Sequence, residues 1–420
     1  MKSNSLLSTQ RLALILSLTA TPCILAQDNF LQNIYEDTDY RQRGLFEGLA
    51  SDDADADEKG GEGEKFTDLI HFSLAGGIRY NDNIYLSESD EEDDFIFTVS
   101  PTLSIISGRE GTAQNTYSFS YTPSFLFYAD HSSEDTIDHR ASFRFTKQLP
   151  KSKIAFDLDF TDTEGSDRHV SGSVGRTRLY GALHYNYLMT GKTRLDLMAT
   201  TDLNDFNSAG YNDQDNYGLR ASVLYQWTGK LAIGPSFGYR HTSVDVGQDQ
   251  NAYDFGLKAD YIATGKTILT GTLGYNVRTF DGSGAASDEG SMAWSIGARY
   301  AATGKTSLRA TFFREPKVSY NFTSSGYMAT GISLSASHRY SERVNFFGLI
   351  SYENDDYYGT GVGGSTHESD YVTATLGGKY RMQNGLTVGA NMTYRTKDSD
   401  FGYDEFDNFS CGINASYNFW

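Results

Sequence analysis

The stretch Leu386–Arg395 reads LTVGANMTYR, with Leu386, Val388, Ala390, Met392 and Tyr394 alternating with small or polar residues. The same period of two runs through Phe156–Phe160 (FDLDF), Leu219–Tyr225 (LRASVLY) and Phe409–Phe419 (FSCGINASYNF). Successive side chains of a strand point to opposite faces, so each segment is a strand with one apolar and one polar face. The alternations extend over about 10–14 residues, against about 5–6 for an ordinary strand. A tilted strand crossing a bilayer needs about 9–11 residues. These strands are long enough to cross.

A repeat organises them. Tyr187-Leu-Met-Thr190-Gly191-Lys192-Thr193 returns at Tyr225 with Thr228-Gly229-Lys230, at Tyr261 with Thr264-Gly265-Lys266-Thr267, and at Tyr300 with Thr303-Gly304-Lys305-Thr306. Tyr340 and Tyr380 continue the register at spacings of 36–40 residues. Each period holds two alternating strands, one short turn and one longer loop rich in Asp, Ser, Gly and Asn, which is a β-hairpin. Residues 67–420 hold about nine such units, hence about 18 strands. Long loops are expected near 86–94, 130–136, 164–175, 207–213, 244–251, 281–290, 317–328, 357–370 and 398–406. An even number of antiparallel strands, with short turns on one rim and long loops on the other, predicts an all-β transmembrane barrel. The short turns are expected on the periplasmic side and the long loops outside. In each short turn, glycine is expected to supply a positive φ. A phosphate-binding loop does not fit, because the glycine required five residues earlier is replaced by Asn186, Leu224, Asp260 or Arg299.

Composition agrees. Apolar residues are 39% and aromatics 14%, with 42 Gly and 6 Pro; a disordered chain would be poor in aromatics. A net charge of -19 argues against nucleic acid as partner. At the N-terminus, Lys2 and Arg11 precede an apolar run, Leu12–Ala20, and a small-residue exit at Ala26. That pattern predicts a secretory signal over 1–26. Residues 27–66 are acidic and aperiodic, and are expected to form a largely disordered periplasmic segment. Asp53, Asp55, Asp57 and Glu64 have the spacing of a calcium loop, but Glu58 stands where that loop needs glycine. Cys411 is the one cysteine beyond the signal, so no internal disulfide is expected.

Tyr187, Tyr225, Tyr261, Tyr300, Tyr340, Tyr380 and Phe419 fall at the short-turn rim, where an interfacial girdle belongs. Tyr80, Phe127, Tyr239, Tyr275, Phe312, Tyr352 and Tyr394 fall toward the long loops. Tyr211, Tyr327, Tyr357, Tyr358, Phe401 and Tyr403 either extend that outer girdle or stack on sugars. If apolar residues face lipid, the alternation turns Arg140, Arg144, Arg178, Arg194, Arg220, Lys258, Arg299, Arg309, Lys379 and Arg395 inward, with Asp157, Asp159, Asp196 and Asp260. Ten bases against four acids would favour anionic solutes, unless the charges pair across the lumen.

Gly76–Tyr85 (GGIRYNDNIY) and Asp94–Pro101 (DFIFTVSP) resemble the opening of the putative β-barrel porin families, which include outer-membrane proteins encoded near exopolysaccharide gene clusters. The resemblance implies a barrel in the outer membrane, in contact with lipid and inserted by the barrel-assembly machinery. The function read from length and pattern is passive diffusion of small hydrophilic solutes, saccharides included, without catalysis, cofactor or metal. A homotrimer is compatible with it. The alternatives are a non-conducting barrel that anchors or assists polysaccharide export, and a barrel enzyme. For the enzyme, His131, His139, His169, His241 and His367 near the outer loops are the candidate residues, and no nucleophile motif accompanies them.

Overall fold

The computed structural model describes residues 69–108, 115–168, 170–208, 210–281, 289–320, 326–358, 367–400 and 404–419. The expected export signal, the acidic segment, and His169, Phe401 and Tyr403 lie outside the described residues. The strands are Ile70–Asn81 (β1), Asp94–Ser107 (β2), Asn115–Tyr128 (β3), Thr136–Gln148 (β4), Ser152–Asp167 (β5), Gly172–Leu188 (β6), Thr193–Phe206 (β7), Gln214–Gln226 (β8) and Leu231–Val244 (β9). They continue as Gln250–Thr264 (β10), Thr267–Phe280 (β11), Glu289–Thr303 (β12), Thr306–Val318 (β13), Gly326–Arg339 (β14), Val344–Tyr358 (β15), Glu368–Arg381 (β16), Thr387–Ser399 (β17) and Phe406–Asn418 (β18). Each strand pairs antiparallel with its sequence neighbours, and β18 pairs with β1 from Ser73↔Asn418 to Asn81↔Ser410. The sheet is a closed ring of 18 strands.

Alternation sorts the side chains as expected. On β2, Phe95, Phe97, Val99 and Leu103 stand exposed on the outer surface, while Ser100, Thr102 and Ser104 are buried inside. An outer face this apolar is stable only against hydrocarbon. Tyr225, Tyr261, Tyr300, Tyr340, Tyr380 and Phe419 are exposed at the short-turn end and Tyr187 is half-buried there.

Two expectations are corrected. Residues 164–175 are mostly strand, because the β5–β6 register runs on from Glu164↔Gly175 to Asp167↔Gly172. Only Arg168–Ser171 connect the two. Gly385 supplies the expected positive φ in the β16–β17 turn, but the Thr-Gly-Lys turns close differently. Gly191, Gly229, Gly265 and Gly304 have no positive φ. Instead the Thr190 hydroxyl accepts from the backbone N–H groups of Lys192 (3.2 Å) and Thr193 (3.0 Å), and Thr228 accepts likewise from Lys230 and Leu231. Thr264 and Thr303 accept from Lys266 and Lys305. The threonine hydroxyl is what satisfies the turn backbone.

The β2–β3 ladder lapses between Val99↔Phe125 and Leu103↔Tyr121. Pro101 and Pro123 sit in that gap, and neither has an N–H to donate. Side chains bridge it from the lumen. Ser100 Oγ donates to Ser124 Oγ at 2.8 Å, and the Thr102 and Thr122 hydroxyls meet at 2.9 Å, all four buried. Thr102→Val should therefore loosen this pair by about 1 kcal/mol. Faster amide exchange confined to β2 and β3 would show it; unchanged exchange there would mean the hydroxyl bridge carries no stability.

Candidate functional site

Closure gives every second residue to the lumen, where charge is concentrated. All fourteen charged residues assigned to the interior by alternation stand on strand positions opposite in phase to the exposed apolar ones. That assignment is incomplete in both signs, because Asp138, Asp202, Asp254, Glu353 and Asp355 share the inner face, as do Arg176, Arg240, Arg278, Lys317 and Lys397. Most wall cations are paired. Arg178 holds Asp202 through Nε (2.6 Å) and Nη2 (2.9 Å). Arg194 bridges Asp196 and Asp260, each at 2.7 Å, and Lys258 reaches Asp196 at 2.7 Å while only 2% exposed. Arg144 approaches Asp157 at 3.5 Å, and Arg395 donates to Asn408 at 2.6 and 3.0 Å. These contacts run along a strand or between nearby strands of one wall rather than across the lumen.

The residues that shape the lumen most were invisible to alternation. The β5–β6 connection folds inward and reaches the wall nine strands away. There Glu353, Tyr371 and Lys397 share one rung of β15, β16 and β17. Arg168 donates to Glu353 at 3.3 Å and lies 4.4 Å above the Tyr371 ring. Lys317 holds the other Glu353 oxygen at 2.8 Å. Lys397 donates to the Arg168 carbonyl (3.4 Å) and to Ser171 Oγ (3.2 Å) and pairs with Asp404 at 2.7 Å, while Ser171 donates to Asp404 at 2.6 Å. This strap crosses the lumen.

Behind it the wall is filled. Phe313, Tyr327, Ala329 and Tyr357 form a buried cluster, with Phe313 lying over Gly331, where a Cβ would come within 2.6 Å of its Cζ. Tyr327 and Tyr357 therefore point inward rather than joining an outer girdle. A second connection, after β13, brings Tyr320 to the β6–β8 wall. Arg176 donates to its hydroxyl at 2.9 Å, and Gln214 donates to the Ser319 carbonyl at 2.7 Å. An open space lies on the β6–β13 side. It is a cavity of about 440 Å³ lined by Arg178, Arg240, Asp254, Lys258, Asn276 and Tyr320 among others. Its floor is free of side chains at Gly256 and Gly274, where a Cβ on Gly256 would lie 2.3 Å from the Leu273 carbonyl. Among the described residues no cluster of His, Cys, Asp and Glu could hold a metal ion.

Outside the membrane, the β1–β2 and β3–β4 loops are clasped at His131. Its Nδ1 meets Asp94 at 2.9 Å and its Nε2 meets Glu92. Asp94 also accepts from the backbone of Ala129, Asp130 and His131. Tyr85 packs edge-on against the imidazole and donates to Glu134.

Residues 289–419 match the family described as Putative beta-barrel porin 2. Among solved structures, the chain is similar to Pseudomonas aeruginosa OpdK with vanillate at 12% identity, covering 83% of this chain and 99% of that one with a TM-score of 0.42. It is similar to Acinetobacter baumannii OccAB4 at 11% identity, covering 83% and 98% with a TM-score of 0.44. Pseudomonas aeruginosa OccK5 (OpdH) is 12% identical, with 85% and 100% covered and a TM-score of 0.44. No curated protein matches the chain.

Two outcomes follow from these geometries. Asp196→Ala would remove the carboxylate that Lys258 and Arg194 share, and should destabilise the barrel by about 3 kcal/mol. Lys258→Met in the same background should restore most of that loss in urea unfolding. For the clasp, the hydrogen bond to Asp94, opposed by burial and reinforced by Glu92, raises the His131 pKa above 6.5. Its stabilisation is full below pH 6.5 and is lost as pH rises through the raised value. Amide exchange of residues 128–131 should accelerate over that window in the wild type, and His131→Gln should abolish the pH dependence.

Proposed function

We propose that the protein is a passive outer-membrane channel for small hydrophilic solutes, exported through residues 1–26 and inserted by the barrel-assembly machinery. The observation that carries this reading is the cavity of about 440 Å³ inside a closed barrel, lined by charged and hydroxyl side chains. A barrel of this strand number is wide enough for an aqueous path. Here the strap and the Phe313 cluster confine that path to the β6–β13 side. Paired wall charges contribute little net field, so selectivity falls to the cations that lack a carboxylate. Homotrimeric association fits the same reading.

The packed outer half of the lumen favours a second reading, a closed barrel that anchors or assists polysaccharide export. Single-channel recording in a planar bilayer with a salt gradient separates the two. The channel reading expects stable open steps with an anion-side reversal potential. Glu353→Gln, which frees Arg168 and Lys317 from their common carboxylate, should raise the conductance by releasing the strap. Silence in both proteins would leave the anchor.

A further inference from the structure

Arg278 stands on the inner face of β11 near the long-loop rim and is 4% exposed. Its Nη1 has no hydrogen-bond partner, and it forms no ion pair among the described residues. The guanidinium lies 4.9 Å over the Tyr358 ring. Arg240 on β9 shares its rung, since Arg240 pairs with Ala252 and Ala252 with Arg278. A single methyl group separates the two on the wall. Arg240 lines the cavity and likewise forms no ion pair among the described residues.

The groups that face Arg278 do not neutralise it. Arg240 acts on it as a like charge, and Glu289 and Asp254 act more weakly in the opposite sense. Glu289 is its rung partner on β12 but is exposed at the rim. Asp254 is one rung lower and accepts from Asn276 Nδ2 at 2.8 Å. Arg178, Arg194, Lys258 and Lys317 each have a carboxylate in contact. A desolvated cation without one is strongly unfavourable, and a second beside it makes matters worse. An anion drawn from solution relieves both.

Asn276 adds the second half of the specification. It precedes Arg278 by two residues on the same face, about 7 Å along the strand, and is 2% exposed at the cavity. Donation from Nδ2 to Asp254 fixes the orientation of its amide, leaving Oδ1 buried and without a donor. That oxygen accepts a hydroxyl or N–H.

We propose that Arg240, Arg278 and Asn276 form a lumenal subsite for a small hydroxylated carboxylate of the sugar-acid type. The carboxylate bridges the two guanidinium groups and a hydroxyl donates to Asn276 Oδ1. The proposal deepens the channel reading and rests on solute reaching the lumen.

Titration calorimetry on the full refolded barrel, with gluconate, acetate and glucose as probes, tests it. Gluconate should bind, acetate more weakly, and glucose not at all. Arg240→Gln and Arg278→Gln should each weaken gluconate by about tenfold or more, the loss of a charge-assisted contact. Asn276→Ala should close the gap between gluconate and acetate. Arg240→Gln, on a half-buried position, keeps the test readable if Arg278→Gln does not refold. Arg278→Met should raise the Tm in the absence of anion and abolish the further rise that gluconate gives the wild type. Gluconate that does not bind, or that binds both glutamine variants as it binds the wild type, overturns the subsite. Bilayer recording on the same protein keeps the two readings apart: conduction without gluconate binding overturns the subsite alone, whereas binding in a silent barrel supports the subsite and removes the channel.

Discussion

Backbone hydrogen bonding in hydrocarbon is the constraint from which the rest of this molecule descends. No water is present there to satisfy an unpaired N–H or C=O, so a sheet can cross only if its two edges meet. Here they meet where β18 pairs with β1. Closure then divides every strand into a face that must be apolar and a face that need not be. The polar half of the sequence has only the interior to go to. Charges gathered there are partly withdrawn from water, which is why so many of them are held in pairs such as Arg178 with Asp202 and Lys258 with Asp196. Even the lapse at Pro101 and Pro123 is repaired from inside, by hydroxyls, since lipid offers nothing to repair it from outside.

The lumen that results is lopsided. On one side, a connection from the opposite wall is tied down by Glu353, Tyr371 and Lys397, and aromatic side chains fill the space behind it. On the other, glycine and alanine leave the wall bare and the cavity opens. The same device explains both. Phe313 can lie flat because Gly331 has no side chain, and the cavity floor is clear because Gly256 and Gly274 have none.

Much of this was legible from alternation and the tyrosine repeat. A period of two specifies which residues share a face, and the 36–40-residue period specifies hairpins, so the strand count followed from the two periods together. The strap did not, because its contacts join residues 185 apart with no periodic relation between them. Arg168 reads as one charge in a polar loop, and Glu353 as one acid among several beside it. Asp202 and Asp254 fall on the inner face by the same alternation, and so do Arg240 and Arg278, so the inward set was incomplete in both signs. The turns failed for a different reason. Thr-Gly-Lys admits both a glycine with positive φ and a threonine hydroxyl as the closing element, and only backbone geometry separates the two. What faces Arg278 depends on three strands and a distant rim, so its isolation has no local signature.

The seam has a kinetic side. Phe409 donates its backbone N–H to the Asp82 side chain at 2.7 Å across 327 positions of sequence. Hairpins can form one after another from neighbours in the chain, each at modest loop-closure entropy. The last rung cannot form until both ends of the sheet are present and curved toward each other. Until then β1 and β18 are bare edges able to pair with any strand they meet, in another copy as readily as in their own. Closing this barrel therefore turns on a single encounter between its two ends, and until it happens the nascent sheet has two edges to shield.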